Sequence, residues 1–410
     1  MTNAKRRSVA MIVHSYYEED PRVRREAETL VEHGFSVDVF ALRPPGASEV
    51  DRVDGVTLHR LDVKRHQGAG LPTYLAEYTV FTARAAFALA AAHRRRRFTL
   101  VQVHSIPDYL AIAALPLKAT GVPLILDLHE AMPEFFRSRF ASRLPGVLVG
   151  PAVALVRGQE WASIALADRV ITVNEALGDR LRALGTPAAK VAVVPNSPSL
   201  VRFDPSSHPD RPFRADDTLR LVYAGGLSPI YELDVVIDAI ALIRSSRSTI
   251  DVRLDVYGRD FGEVPLRERA EALGIGGRVT LHGRIPLEDV PAAVAAADIG
   301  LAPTRRSRFT DYSLSTKVFE YAAMGKPVVA SRLPMVERTF GPDTVVTYEP
   351  GNADDLAAAI LRLADNAADR AARVERTLVR VRQLSWDRAG LDYVALVERL
   401  IALRSRPTDA

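Results

Sequence analysis

The chain has 410 residues, enough for two or three domains at roughly 100–200 residues each. With 48% hydrophobic and 25% charged residues it is globular in composition, which excludes a disordered or collagen-like chain; the lack of cysteine excludes a disulfide scaffold, a thiolate metal site and a cysteine nucleophile. Lys+Arg 54 against Asp+Glu 50 leaves a net charge of +4, too small a surplus to point to nucleic acid by itself.

Short apolar, β-branched runs alternate with helical stretches along the chain. The first strand is predicted over 9–13. A helix follows, opened by Asp20-Pro21, because Asp can cap free N–H groups and Pro suits the first helical position. Val23, Ala27, Leu30 and Val31 form its apolar stripe, and Gly34 stops it before a strand over 37–42. Further strands are predicted at 100–103, 123–128, 169–173 and 191–194. The pattern restarts at 219–224 and continues at 252–257, 279–282, 299–302, 327–330 and 345–348, with helices at 354–364, 371–384 and 386–403. Such alternation implies parallel sheets covered on both faces.

The Pro-, Ser- and Asp-rich stretch 195–217 interrupts this regularity and reads as a linker. The expected organisation is an N-terminal Rossmann-like domain over 1–200, a linker over 201–217, and a second Rossmann-like domain over 218–384. A final helix over 385–410 is expected to pack back towards the first domain. The fold class is α/β, with two doubly wound domains facing across a cleft, since such sheets bind ligands beyond the carboxyl ends of their strands.

Missing motifs narrow the chemistry. There is no Walker A sequence, no G-x-G-x-x-G after the first strand, no G-x-S-x-G elbow and no H-E-x-x-H. No D-x-D occurs, so the simplest carboxylate clamp for a divalent ion on a diphosphate is missing. A phosphate ligand would have to be held by helix N-termini and basic side chains. The stretch from Thr310 to Ala330 offers both. Ser313 to Thr316 is expected at a helix start, Lys317 adds a positive charge in the first turn, where it is unfavourable for the helix alone, and Glu320 lies one turn on. The competing reading is a surface helix with a serine cap and solvated charges.

Three more clusters fall at predicted strand ends or helix starts. Asp127, His129 and Glu130 follow a buried strand, and alternation puts Asp127 and His129 on one side of it. His104 and Asp108 follow another, while Asp20 and Arg22 lie at a helix start. A histidine satisfied at a strand end and surface ion pairing are the competing readings.

Seven segments in order give the chain its likeness: SYYEEDPRVRREAETLVEHGFSVDVFAL, LILDLHE, ADRVITVNEAL, KVAVVPNSP, LVYAGGLSPIYELDVVIDAI, VTLHGRIPLEDVPAAVAAADIGLAPT and STKVFEYAAMGKPVVAS. It resembles the retaining GT-B glycosyltransferases of family four, which use nucleotide-sugar donors, over nearly its whole length. The resemblance implies a metal-independent enzyme without a cofactor. It makes His129 the active-site histidine and Gly225 and Gly226 the turn that approaches the donor diphosphate. Arg284 and Ile285 match the loop around the base, and Ser315 and Thr316 the phosphate-binding amides. Glu320 matches the second glutamate of a Glu–seven residues–Glu motif, which takes the ribose hydroxyls. Tyr312 stands in place of the first glutamate, and the usual Arg and Lys after the glycine turn are replaced near Leu227 and Tyr231. Lys317 is the first candidate to neutralise the diphosphate and Arg259 the second, which makes His129, Lys317 and Glu320 the expected catalytic set. The acceptor side is expected near Asp20, Arg22, His104, Asp108, Asp127, His129 and Glu130.

The expected partners are a nucleotide sugar and a polysaccharide, glycolipid or natural-product acceptor, with no nucleic acid. No apolar run reaches the ~18–20 residues of a membrane span, so a cytoplasmic protein is expected. An apolar stretch over 74–93 followed by Arg94 to Arg97, with a second apolar patch over 144–155, suggests contact with a membrane surface; a core helix with a basic turn is the competing reading. A nucleotide-sugar epimerase of the same fold and a basic nucleic-acid-binding protein are the alternative functions.

Overall fold

A computed structural model of the protein describes residues 7–66, 70–141, 144–209, 211–247, 249–258 and 262–405. It divides into two compact units, one of residues 1–196 with 389–410 and one of 197–388.

In the first unit the strands are β1 (Ser8–Ile12), β2 (Ser36–Leu42), β3 (Val50–Val53), β4 (Val56–Leu61), β5 (Leu100–His104), β6 (Leu124–Leu128), β7 (Arg169–Thr172) and β8 (Val191–Val193). Among the described residues they form one sheet in the order β3-β4-β2-β1-β5-β6-β7-β8, parallel except for β3. The β3–β4 hairpin was not expected from the sequence. Its signal was present: Asp54-Gly55 is a two-residue turn with φ +48° and +81° that suits the twist of a hairpin. β3 lies at the sheet edge and is largely exposed, so it lacks the buried apolar run that marks the other strands.

The helix Pro21–Glu32 begins as its sequence requires. Asp20 accepts from the Val23 N–H at 3.1 Å, Pro21 takes the first turn, and Gly34, at φ +82°, ends it. Such a cap contributes about 1 kcal/mol. The helix Leu71–Arg96 buries Phe81, Ala85 and Leu89 in the core formed with Phe40, Val101 and Leu126. His93 and Arg94 to Arg96 occupy its last turn, where positive charge favours the helix dipole.

The second unit holds β9 (Thr218–Ala224), β10 (Asp251–Tyr257), β11 (Val279–Gly283), β12 (Ile299–Ala302), β13 (Val328–Ser331) and β14 (Val346–Tyr348). Their order among the described residues is β11-β10-β9-β12-β13-β14, all parallel, which is the doubly wound 3-2-1-4-5-6 order. The stretch read as a linker is fastened to this unit. Phe203 is buried against Val222 and Phe340, and Asp298 accepts from Arg211 Nη1 at 2.6 Å, the Arg214 N–H at 3.0 Å and the Arg220 N–H at 2.8 Å. Composition alone could not show this, because one aromatic ring and one carboxylate do the holding.

Candidate active site

The first unit gathers its polar residues at the carboxyl end of its sheet. β5 and β6 lie side by side with His104 opposite Asp127. Arg22, on the helix after β1, forks onto Asp127, with Nε to Oδ2 at 2.8 Å and Nη2 to Oδ1 at 2.9 Å, and Nη1 donates to the Val194 carbonyl at 2.9 Å. Arg22 also pairs with Glu26 at 3.1 Å. His104 Nδ1–H and His129 Nε2–H both donate to Asp127 Oδ2, each at 3.0 Å. Behind them Gln102 donates to Glu26 at 2.6 Å, and the Tyr393 hydroxyl donates to Gln102 at 2.7 Å.

These contacts set the charge states. Burial acts to raise the Asp127 carboxyl, but Arg22 and the imidazoles outweigh it and hold the group well below the usual carboxylate range. Burial acts to lower His129, but the Asp127 charge prevails and raises it. The ligand atoms of His104, Asp127 and His129 lie within 4.8 Å of one another, close enough to consider a metal. Because the Arg22 fork already covers both Asp127 oxygens, a cation would have to displace a buried guanidinium.

The expected acceptor residues therefore divide. Arg22, His104 and Asp127 are buried and hold His129, whose side chain keeps 21% of its surface. Asp20 has a local job, since its oxygens take the Val23 N–H and the Ser15 hydroxyl, the latter at 2.9 Å. Asp108 and Glu130 follow β5 and β6, where the Ser105 hydroxyl accepts from the His129 N–H at 3.2 Å and ties the two loops together. Neither Asp108 carboxyl oxygen nor Glu130 Oε2 has a hydrogen-bond partner among the described residues. Burial pushes Glu130 up to about 7 and Asp108 well above its ordinary range.

The second unit places Gly225 at the end of β9, where its N–H donates to the Tyr257 carbonyl at 2.8 Å. Its φ is +156°, and a Cβ there would overlap the Lys317 side chain; one at Gly258 would overlap the Gly225 carbonyl. The helix Thr316–Ala323 follows β12, with Ser315 at its N-cap and no side chain capping its first amides. Lys317 is buried in the first turn, its ammonium 4.3 Å from the Tyr231 ring centre and 5.1 Å from that of Tyr223. No hydrogen bond or ion pair reaches this ammonium among the described residues, although the Glu320 charge acts on it. Burial pushes Lys317 down to about 8. Glu320 is half-buried, as are Gly225, Ile285 and Tyr312, whereas Gly226 and Arg284, which follows β11, are exposed. Arg259 lies outside the described residues.

Tyr321 is a site residue that sequence reasoning missed. Its hydroxyl accepts from the Ala224 N–H at 2.8 Å and ties the helix to the glycine turn, while its ring lies against Gly300 in β12, where a Cβ would overlap it. The roles of Tyr223 and Tyr231, whose rings lie beside the Lys317 ammonium, were missed as well. Their signal was weak, because aromatic residues near strand ends usually serve the core.

Residues 20–197 match the family model for a glycosyl transferase 4-like domain, and residues 218–366 match that for glycosyl transferases group 1. The chain is 28% identical over 351 residues to a D-inositol 3-phosphate glycosyltransferase of Geodermatophilus obscurus, covering 81% of this chain and 74% of that protein. Sucrose-phosphate synthase from Thermosynechococcus elongatus shares its fold with a TM-score of 0.79 at 20% identity, over 97% of this chain and 100% of that one. Anabaena Alr3699/HepE, solved in complex with UDP-glucose, gives a TM-score of 0.69 at 14% identity, over 96% and 99% of the two chains.

Proposed function

The chain belongs to the group 1 glycosyltransferases of the GT-B type, and on that premise we propose that it moves a hexosyl group from a nucleoside-diphosphate sugar to a hydroxyl acceptor, with retention at the anomeric carbon and without a metal. A uridine nucleotide is the first donor to test, since the similar Anabaena enzyme was solved with UDP-glucose.

The observation that carries this reading is Lys317, a buried ammonium lacking a carboxylate hydrogen-bond partner among the described residues and resting on a glycine turn beside a helix N-terminus. A cation stripped of water and left with aromatic faces gains most from an anion arriving between it and the free amides. In the reaction, the bond between the anomeric carbon and the diphosphate oxygen breaks while the acceptor hydroxyl oxygen attacks from the same face and passes its proton to the departing diphosphate. Negative charge grows on the leaving oxygen, and the Lys317 ammonium with the Ser315 and Thr316 amides stabilises it without reorganising. The Gly225–Gly226 turn lets backbone approach the diphosphate, and Glu320 takes the ribose hydroxyls. On the acceptor side, Asp127 fixes the His129 ring through Nε2 and leaves Nδ1 for substrate.

A thermal-shift screen with UDP, GDP, ADP and dTDP tests the reading, because a ligand that binds the native state alone raises apparent stability. One nucleotide should raise the melting temperature of the wild type and fail to do so in Lys317→Ala. No shift with any of the four sinks the proposal. The matching nucleotide sugar, supplied with acceptors, then gives the anomeric outcome by NMR of the product.

A further inference from the structure

The helix Gly146–Leu166 departs from the usual surface helix, which is polar on its outer side. Val153, Glu160, Ser163 and Ile164 turn inward. The outer side nevertheless carries Val147, Leu148, Leu155 and Trp161, which are 80%, 50%, 66% and 70% exposed. The positions between them are mostly small. Large exposed apolar side chains gathered on one helix mark an interaction surface.

The charge around this face has one sign. Arg157 is exposed on the helix itself, and Arg137 and Arg139 are exposed at the end of the helix Met132–Phe140, which packs against it through Phe136, Phe140 and Val153. The two acidic residues of 132–166, Glu134 and Glu160, do not face solvent freely. Both are held by Arg180, each with a contact at 2.7 Å.

We propose that this face seats the protein flat on an anionic lipid bilayer, with Leu155 and Trp161 entering the headgroup boundary and the three arginines meeting lipid phosphates. No described helix is long and apolar enough to cross a membrane, so the helix lies in the interface plane. Trp suits that depth, and Arg can bury its stem there while its guanidinium stays with the headgroups. A second copy of the chain is the poorer occupant, because a two-fold contact would set arginines against arginines with no acid offered between them. This places the contact elsewhere than the four-arginine run suggested. The helix Leu71–Arg96 is about 39 Å long, and its first turns join the Phe140 and Val153 cluster. Its arginine end is remote from that cluster, and Arg96 pairs with Asp38 at 3.3 Å.

The inference goes beyond the proposed reaction, and its readout needs no turnover. Co-sedimentation is measured with vesicles of phosphatidylcholine alone and of phosphatidylcholine with phosphatidylglycerol. Wild type should sediment with the second kind. The pair Leu155→Ser with Trp161→Ser should lower binding at least about tenfold. Each of Arg137→Ala, Arg139→Ala and Arg157→Ala should lower it about fivefold. The fluorescence of Trp161 should shift to the blue on binding, against the steady signal of Trp386, which is only 5% exposed. All these side chains are exposed, so the variants should keep the wild-type melting temperature and nucleotide response. Absence of wild-type sedimentation overturns the proposal, as does undiminished sedimentation of the apolar pair. A dimer in ultracentrifugation that this pair dissolves, without vesicle binding, assigns the face to a second copy instead.

Discussion

The two polar clusters, each at the carboxyl end of a parallel sheet, treat buried charge in opposite ways. In the first unit Arg22, Asp127, Glu26 and His129 satisfy one another. In the second unit Lys317 has two ring faces and the Glu320 charge, with no hydrogen bond or ion pair among the described residues. The first arrangement answers its arginine within the protein and fixes one imidazole, although Asp108, Glu130 Oε2 and Glu26 Oε1 have no hydrogen-bond partner among the described residues. The second carries a desolvation cost that a bound anion would offset. We therefore place the proposed anion where positive charge goes unanswered within the protein rather than where most charge is collected.

The largest expected effect tests the closed cluster. Asp127→Ala strands Arg22 in the core and should cost about 3–5 kcal/mol, read by urea unfolding. A loss below about 1 kcal/mol would mean that the network is decorative. Next comes the open cluster. Lys317→Ala should lower kcat by ~10²–10³ at unchanged melting behaviour, by analogy with removing one preorganised donor, and wild-type turnover in that variant would refute the assignment.

The contrast sharpens when Lys317 is replaced by an apolar side chain of similar length. Lys317→Met should stabilise the unliganded protein at neutral pH by about 2 kcal/mol, read as a melting temperature a few degrees higher, while abolishing the nucleotide response. Destabilisation would show that the ammonium is well satisfied after all. Glu320→Gln should weaken nucleoside-diphosphate binding by roughly tenfold, as expected for charge-assisted hydrogen bonds, and leave kcat nearly intact.

The smallest effect is in pH. The lysine is pushed down to about 8, so its charge is lost as pH rises through that value. Nucleotide affinity should fall above pH 8 in the wild type and stay level in Lys317→Arg, measured by titration calorimetry. The unliganded protein should move the other way. Between pH 8 and the ordinary lysine value the unfolded chain binds more protons than the folded one, so this residue's burial penalty fades and stability rises with pH.

How much of this was legible beforehand depended on the kind of signal. Buried strands such as β1 and β12 announce themselves, because a run of apolar and small residues has few other places to go. The helix at Pro21 was legible from its cap, and the start of the helix Thr316–Ala323 from its run of serine and threonine. The division of labour among Arg22, His104, Asp127 and His129 was not. Sequence spacing put the last two on one side of a strand, but only the fold brings Arg22 across to close the cluster and enclose three of its four members. Tyr321 stayed hidden for a related reason: its hydroxyl serves a backbone amide 97 positions away, and no local pattern records such a debt.

That tyrosine also links positions that look unrelated. A methyl group at Gly300 would have to push the Tyr321 ring aside, which would draw its oxygen from the Ala224 amide and loosen the bend that follows. An alanine in mid-strand would then act on a turn that follows a different strand. Variant screens of this enzyme would do well to count Gly300 among the residues that shape the glycine turn after β9.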